Sequence, residues 1–465
     1  MPGASPARHR RGKKKACAAE FAPAIEAEIA RLVAPGAADG IDFEAVELQL
    51  RRKALALAAR AVEQRLDADR SDGVPPTRPC SCGRPARRAG RPPKTFETVL
   101  GPLTLQRAYY HCVHCGKGFF PRDRALGMER TSLSPAVTRM TGSAAAETSF
   151  ARASALLAEL AGVRVESKRV ERVAEALGRE IAAAERDQVF APERPAAPTM
   201  YLGIDGTGVP MRPREVAGRA GKQDDGSAGT REGKVIALWT AEDRDRQGLP
   251  VCDAGSATYS AKIDSAAWPD TQPAPPEFAR RLQREAARRG FDRAPRQVIL
   301  GDGAKWIWSM ATTFYPRAIQ IVDFFHASEK LRGVAKALFP ADRASLEDWA
   351  EARCAELRDG RLDGLLATLR AHAARCETAA KCVGYIETNR QRLNYPDYRA
   401  QGLQIGSGVL EGACKSVVGK RLKQGGMRWT KDGADAVMAL RCCIHSGRYE
   451  EFWEWRSEVR IAAAA

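Results

Sequence analysis

Apolar residues recur along this chain at helical spacing, then at strand spacing, then at helical spacing again. Phe21, Ile25, Ile29 and Leu32 fall three or four residues apart, which is one face of a helix. The helical pattern runs from Ala18 to Leu66 and breaks at Pro35-Gly-Ala-Ala-Asp-Gly40. Past the break, Val46, Leu48, Leu50, Leu55 and Leu57 mark a second helix, and Ser71-Asp-Gly-Val-Pro-Pro76 closes the helical region 17–72. Phe96-Glu-Thr-Val-Leu100 and Leu103-Thr-Leu-Gln-Arg-Ala-Tyr-Tyr110 then alternate as strands do, with Gly101-Pro102 as the expected hairpin turn. Region 126–190 is mostly helical and Ala-rich. Phe150–Ala161 predicts one helix, Gly162-Val-Arg-Val-Glu166 a turn, and Ser167–Ile181 a second helix with Ser167 as N-cap.

Ala191-Pro-Glu-Arg-Pro-Ala-Ala-Pro198 carries three prolines and ends the helical pattern abruptly, so a linker over 191–199 marks the main domain boundary. Beyond it, Met200–Asp205 reads as a buried strand ending in an acid. Gly206-Thr-Gly208 is expected to turn into Val209-Pro-Met-Arg212, a hairpin partner, and Lys234–Trp239 follows as a third strand after the Gly-rich loop from Gly218 to Gly233. A helix over 276–289, a strand Gln297–Asp302, a helix Trp306–Phe314 and a strand Ala318–Asp323 complete the series. The order β-β-β-α-β-α-β is that of a ribonuclease-H-like mixed sheet, an α/β core. Leu338 to Leu393 returns to helical spacing, with Trp349, Leu357, Leu362, Leu365, Leu366 and Leu369 as its apolar face. It is far more chain than a compact connection needs. We expect an all-helical insertion over 338–400, which divides the core into 200–337 and 401–455.

Charge narrows the picture. The chain has 465 residues, a net charge of +17 and 44% hydrophobic residues, the last an ordinary value for a globular protein. A basic balance of this size suits a polyanionic partner such as nucleic acid. Residues 1–16 read as a disordered basic arm able to touch phosphates. Its stretch from Arg8 to Lys15 is followed by no apolar core, so no secretory signal is expected. No uninterrupted apolar run approaches the roughly 20 residues that span a bilayer, and a cytoplasmic, nucleoid-associated protein is expected.

Of the twelve cysteines, only Cys80, Cys82, Cys112 and Cys115 form a set with chelating spacing. Cys80-x-Cys82-Gly and Cys112-x-x-Cys115-Gly are short turns tied by strands, a zinc ribbon over 73–125. Four thiolates would close a tetrahedral shell around one structural Zn2+ and leave no open position. His111 and His114 remain alternative ligands. Cys17, Cys252, Cys354, Cys376, Cys382 and Cys414 have no partner at such spacing and read as core or incidental thiols, and Cys442 and Cys443 as packing. The turn before Ser167 could also make a helix-turn-helix. Its second helix would then present Lys168, Arg169 and Arg172 to a major groove, while a plain helical hairpin fits the same composition.

An Asp before Gly is ordinarily a turn former. Here two apolar strands each deliver Asp-Gly at the carboxyl edge, at Asp205 and Asp302, the edge where open α/β sheets bind ligands. A third acid, Glu411, opens a helix, with Lys415 one turn on and Lys420, Arg421, Lys423 and Arg428 beyond. Three carboxylates can bridge two hard cations, Mg2+ or Mn2+, roughly 3.5–4 Å apart, and the cations that follow suit a nucleic-acid substrate.

Tyr201-Leu-Gly-Ile-Asp-Gly-Thr-Gly-Val-Pro210, Leu300-Gly-Asp-Gly-Ala-Lys-Trp-Ile-Trp308, Ile321-Val-Asp-Phe-Phe-His-Ala327 and Gly406-Ser-Gly-Val-Leu-Glu411, with Arg421-Leu-Lys-Gln-Gly-Gly-Met-Arg-Trp429, resemble bacterial insertion-sequence transposases of the DDE class. The similarity is to the ISKra-type family and more distantly to the Mutator-like group, and it covers about Val74 to Trp453. It implies that Asp205, Asp302 and Glu411 are the metal-binding triad, with Asp323 and His326 as accessory residues. It implies an enzyme that cleaves and joins strands of double-stranded DNA, with a helical insertion that helps hold element ends. Lys415 is expected to neutralise a phosphate, and a homo-oligomer is expected on DNA. A nuclease without strand transfer and a silent DNA-binding regulator are the alternative readings.

Overall fold

The computed structural model describes residues 42–187, 197–264, 276–406 and 408–464, except 222, 224 and 225, together with 23, 26, 27, 29 and 30. The basic arm, most of the first helical pattern with its Pro35–Gly40 break, and most of the Pro-rich linker lie outside those residues. The chain divides into two compact units. One comprises Met1–Ala144, Phe150–Val170 and Arg456–Ala465; the other comprises Ala145–Ser149 and Glu171–Trp455.

In the first unit, helix α1 (Phe43–Ala68) starts where the Asp42 side chain accepts a hydrogen bond from Ala45 N at 3.3 Å, the usual way an orphan N–H is satisfied. Four short strands, β1 (Thr77–Pro79), β2 (Pro85–Gly90), β5 (Tyr109–His111) and β6 (Gly118–Phe119), form a sheet in the order β1-β2-β5-β6. Between β2 and β5, β3 (Pro93–Thr98) and β4 (Gly101–Gln106) make a separate hairpin. Thr98 faces Gly101 across it, so Val99 and Leu100 are the turn. Gly101-Pro102, expected to be the turn, instead begins the return strand. Thr98 explains the shift: its hydroxyl bonds Gly101 O at 2.7 Å and Leu100 N at 3.1 Å and closes the loop two residues early.

Helices α2 (Pro121–Ala125), α3 (Pro135–Glu147), α4 (Phe150–Ala161) and α5 (Ser167–Arg186) follow. The predicted bounds of α4 hold, and α5 begins one residue after its cap. The carbonyl of Glu166 accepts from Arg169 N and Val170 N, which makes Ser167 the first helical residue rather than the N-cap.

The second unit is a mixed α/β structure built on a five-stranded sheet. Its strands are β7 (Thr199–Pro210), β8 (Thr230–Trp239), β9 (Thr258–Lys262), β10 (Arg296–Gly301) and β11 (Ile319–Val322), in the order β11-β10-β7-β8-β9. β8 is antiparallel to β7 and β9 antiparallel to β8; β10 runs parallel to β7, and β11 parallel to β10. Two expectations are corrected here. Gly206-Thr-Gly208 does not turn: β7 continues through it, paired with β8 as far as Pro210↔Thr230. These glycines serve close approach, since a Cβ at Gly206 would meet the Glu232 side chain of β8 at 2.3 Å. The third strand is β9, which the pattern missed because its buried positions include the polar Thr258 and Ser260.

Short helix α6 (Pro213–Val216) lies between β7 and β8. Helices α7 (Glu277–Arg289), α8 (Lys305–Phe314) and α9 (Phe324–Leu338) flank β10 and β11 in sequence. Helices α10 (Arg343–Arg358), α11 (Leu362–Ala373), α12 (Glu377–Asn389) and α13 (Tyr395–Ala400) then occupy the predicted helical stretch. Leu357, Leu365, Leu366 and Leu369 are buried there as the spacing predicts, in one core with Leu202 and Ile204 of β7 and Leu300 of β10. After α14 (Gly408–Ala413) the helix loosens into a π-turn over Cys414–Gly419, followed by α15 (Lys420–Leu422), α16 (Lys431–His445) and α17 (Tyr449–Ala464). Among the described residues no helix is long and apolar enough to cross a membrane.

Candidate active site

Strand register brings the first acids together. Gly301 of β10 lies opposite Ile204 of β7 and opposite Val322 of β11. One residue further along, Asp302 is therefore level with Asp205 on one side and Asp323 on the other. Three aspartates stand abreast where two parallel strands end, with neighbouring strands about 4.8 Å apart. Asp205 is half-buried within β7 rather than at its end. Burial raises its carboxyl above the ordinary aspartate range, and the charge of Asp302 adds to this, against lowering bonds from Gly206 N (2.7 Å) and Cys414 and the charge of His326. Asp302 turns its Oδ1 back to Ala304 N at 2.9 Å. Asp323 is the N-cap of α9, and its Oδ1 accepts from Phe325 N at 2.7 Å and His326 N at 3.3 Å. The imidazole Nδ1 of His326 lies 3.9 Å from that same oxygen.

Glu411 is delivered by one face of β7. Side chains two apart on a strand share a face, and Tyr201, Gly203, Asp205 and Thr207 each meet the returning chain in order. The Tyr201 hydroxyl accepts from Gln404 N at 3.1 Å, and the Gln404 side chain accepts from the buried Trp239 indole at 2.7 Å. A Cβ at Gly203 would sit 3.3 Å from Leu410 and 2.9 Å from Trp239, so the glycine is what lets Leu410 close on the sheet. Cys414 donates its thiol hydrogen to Asp205 Oδ2 at 3.3 Å. Lys423 reaches the Thr207 hydroxyl. Phe324 N also donates to Ile405 O at 2.9 Å, which fixes the approach to α14 beside β11.

The Glu411 carboxylate is paired with Lys415 one turn on, and this neighbour holds its pKa below the usual range. His326 acts electrostatically on both Asp205 and Glu411. Among the described residues, the four cysteines of the ribbon alone form a group of three or more ligand atoms all within 4.8 Å of one another. The three carboxylates are thus gathered at one edge without being closed into such a group. Each is engaged locally instead: Asp205 by Cys414, Asp302 by Ala304, Glu411 by Lys415. Cys414, which the spacing left as an incidental thiol, is the side chain that contacts Asp205. Burial and the Asp205 charge keep that thiol well above the ordinary range, so it remains a donor. No spacing rule marks Gln404 or Tyr201, whose roles depend on pairing across the sheet.

The cysteine set is assembled by two backbone turns. Gly83 N donates to Cys80 O, and Gly116 N to Cys112 O, each at 2.9 Å. Sγ of Cys80 lies 3.6 Å from that of Cys115, and Sγ of Cys82 the same distance from that of Cys112. A tetrahedral shell with Zn–S of about 2.3 Å would space its sulfurs about 3.8 Å apart. The cluster could hold a metal ion such as zinc, and neither His111 nor His114 belongs to it.

The basic residues divide. Lys168, Arg172, Lys420, Lys423 and Arg428 are exposed, and Arg169 bonds the Ser132 hydroxyl at 2.6 Å. Arg421 is corrected: it is wholly buried, its Nε donates to Ala145 O at 2.8 Å, and its guanidinium lies over the Trp429 ring. It holds the chain around α15 together and offers nothing to a phosphate.

No family model matches this chain, and no curated protein matches it. Among solved structures, the chain is similar to the Drosophila P element transposase strand transfer complex with a TM-score of 0.26 and 9% identity, over 72% of this chain and 84% of that one. A likeness that loose bears on neither fold nor activity.

Proposed function

We propose that this chain is a DDE-type transposase, of the ISKra type and distantly Mutator-like, that binds the ends of an insertion sequence and cuts and joins DNA strands there. The observation that carries the reading is the row of Asp205, Asp302 and Asp323 across three parallel strands, with Glu411 brought to the same edge along β7. The strand order β11-β10-β7-β8-β9, with β8 antiparallel to β7, β9 antiparallel to β8, and β10 and β11 parallel to β7, supports a ribonuclease-H-like core. The donor set fits hard divalent cations, because carboxylate oxygens suit Mg2+ and Mn2+. The raised Asp205 carboxyl marks a place where added positive charge is favoured.

Asp205, Asp302 and Glu411 would hold the metals, with Asp323 fixing α9 so that His326 faces the acids. When bound, a metal pair would lower the pKa of an attacking water or 3′ hydroxyl and stabilise the leaving oxygen of an in-line displacement. Lys415 would release Glu411 and turn to a phosphate as the metal site fills. The exposed cations Lys420, Lys423 and Arg428 would follow the DNA backbone past the site, and the zinc ribbon with Lys168, Arg169 and Arg172 would bind element ends. A homo-oligomer on double-stranded DNA would pair two such ends.

Oligonucleotides carrying the element ends, incubated with the protein, Mg2+ and a target duplex, test this. Cleaved ends and end-to-target joints are expected, and both vanish in Glu411→Gln while end binding stays. Cleavage without joints would identify a nuclease. End binding with neither product would identify a regulator.

A further inference from the structure

The helical stretch over α10–α13 touches the sheet through three tyrosine hydroxyls. β11 is an edge strand, with β10 on one side only, so alternate carbonyls on its open side need partners. Tyr395 donates to Val322 O at 2.9 Å, and the Tyr398 hydroxyl lies 3.3 Å from Gln320 O and 3.1 Å from Gln391 O. Those two contacts satisfy the edge. The third does something different: Tyr385, on α12, donates to the main-chain carbonyl of Asp302 at 3.0 Å. Its ring lies over the turn at Gly303, where φ is +93° and a Cβ would come within 2.6 Å of the ring. Lys330 of α9 covers the ring, its Nζ 5.8 Å from the centroid.

We infer that Tyr385 is a positioning residue for Asp302, so that helices remote in sequence set the geometry of one metal ligand. This rests on the reading of Asp302 as such a ligand. Asp302 follows the last residue of β10 and, among the described residues, would otherwise be held only by its own turn to Ala304. With its carbonyl tied to Tyr385 and its Oδ1 to Ala304 N, the peptide is fixed from both sides and Oδ2 is the oxygen left for a cation. Residues that orient metal ligands from outside typically change affinity or activity about 10–100-fold when lost.

The test is direct Mn2+ binding to the full-length protein, followed by electron paramagnetic resonance of free Mn2+, with the metal dependence of end cleavage beside it. Tyr385→Phe removes only the hydroxyl. It is expected to weaken Mn2+ binding about tenfold and to shift the metal dependence of cleavage by the same factor, with activity recovered at high Mn2+. Tyr398→Phe removes a hydroxyl from the same helical stretch without touching Asp302, and it should bind Mn2+ within twofold of wild type. Equal Mn2+ affinity in wild type and Tyr385→Phe overturns the positioning role, as does an equal loss in Tyr385→Phe and Tyr398→Phe. Asp302→Asn separates the two claims: unchanged Mn2+ binding in that variant overturns the metal reading itself and this inference with it.

Discussion

We expect the four cysteines to bind zinc, and stripping that metal should dissolve the ribbon and leave the five-stranded sheet intact. Between the two knuckles the buried cluster is Cys80, Ala86, Ala108, Tyr110 and Cys112, with Phe119 stacked on Tyr110 at a centroid distance of 5.7 Å. Two of those five residues are the candidate ligands, so the remaining apolar burial is one tyrosine and two alanines. That contributes on the order of 5 kcal/mol, whereas structural zinc sites supply about 10–16 kcal/mol near neutral pH. The sulfur spacing of 3.6 Å is already near that of a filled tetrahedral shell, so little rearrangement opposes binding. Cys112→Ser replaces a buried thiolate by a hydroxyl that does not ionise. The protein as purified should carry one zinc per chain, and the variant none. Limited proteolysis should then cut within 77–119 in the variant, or in wild type stripped by a chelator. All eight tryptophans lie in the sequence from Trp239 to Trp455 and none within 77–119, so tryptophan fluorescence does not read the ribbon directly and should not change. A metal-free wild-type protein whose ribbon resists protease as well as the zinc-loaded form would refute the reasoning.

Three further outcomes follow from the second unit. Because burial raises the Asp205 carboxyl, the folded state binds a proton more tightly than the unfolded chain. Stability in metal-free buffer should therefore fall as pH rises from the ordinary value of 3.8 through the raised one, and Asp205→Asn should remove that loss. At pH 7 without metal the variant should melt above wild type, by about 2 °C per kcal/mol, and Mg2+ should reverse the order; a variant melting below wild type without metal contradicts the sign. Gly203→Ala puts a methyl 2.9 Å from Trp239 and 3.3 Å from Leu410; it should cost about 1–3 kcal/mol and lower end cleavage more than tenfold with end binding unchanged, which gel shift and cleavage assays separate. Glu285 is buried between Arg288 at 2.9 Å and Arg448 at 3.1 Å, and these cations hold its pKa low against burial. Glu285→Gln removes the nearer of the two carboxylates beside these guanidiniums and leaves only Glu185, 3.9 Å from each, so urea unfolding should show a loss of about 3 kcal/mol; a loss under 1 kcal/mol would contradict that.

The parts of this fold that were legible are those whose pattern is one-dimensional. Leu362, Leu365, Leu366 and Leu369 show a helical face directly, and that face is buried. Val298, Ile299 and Leu300 show a strand buried on both sides, and Asp302 follows it as expected. The four cysteines were legible because chelation imposes its own spacing. What failed depended on a partner strand. Gly206-Thr-Gly208 has turn chemistry, yet Glu232 of β8 occupies the space beside it and the strand runs on. β9 hid behind Thr258 and Ser260, polar residues buried under the helices that cover the sheet. Arg421 belonged by composition to a run of cations expected to meet DNA, and the Ala145 carbonyl and the Trp429 ring show that it faces inward.

Glu411 shows why a site can be foreseen without its construction being foreseen. The sequence marks it as an acid opening a helix after a long detour, and helical periodicity correctly pairs it with Lys415. Nothing in either pattern says how the detour ends at Asp205. The answer lies in the period of β7. Tyr201, Gly203, Asp205 and Thr207 share a face, and each takes one group from the returning chain: Gln404, Leu410, Cys414 and Lys423. Three of those contacts are polar and one needs a missing side chain, so no hydrophobic pattern could have announced them. The π-turn over Cys414–Gly419 belongs to the same device. Cys414 lies three residues after Glu411, so at the widening of the helix the thiol reaches Asp205 while the carboxylate one turn back stays on the open side. This thiol-to-carboxylate bond ties the start of the π-turn, three residues after Glu411, to Asp205 of β7.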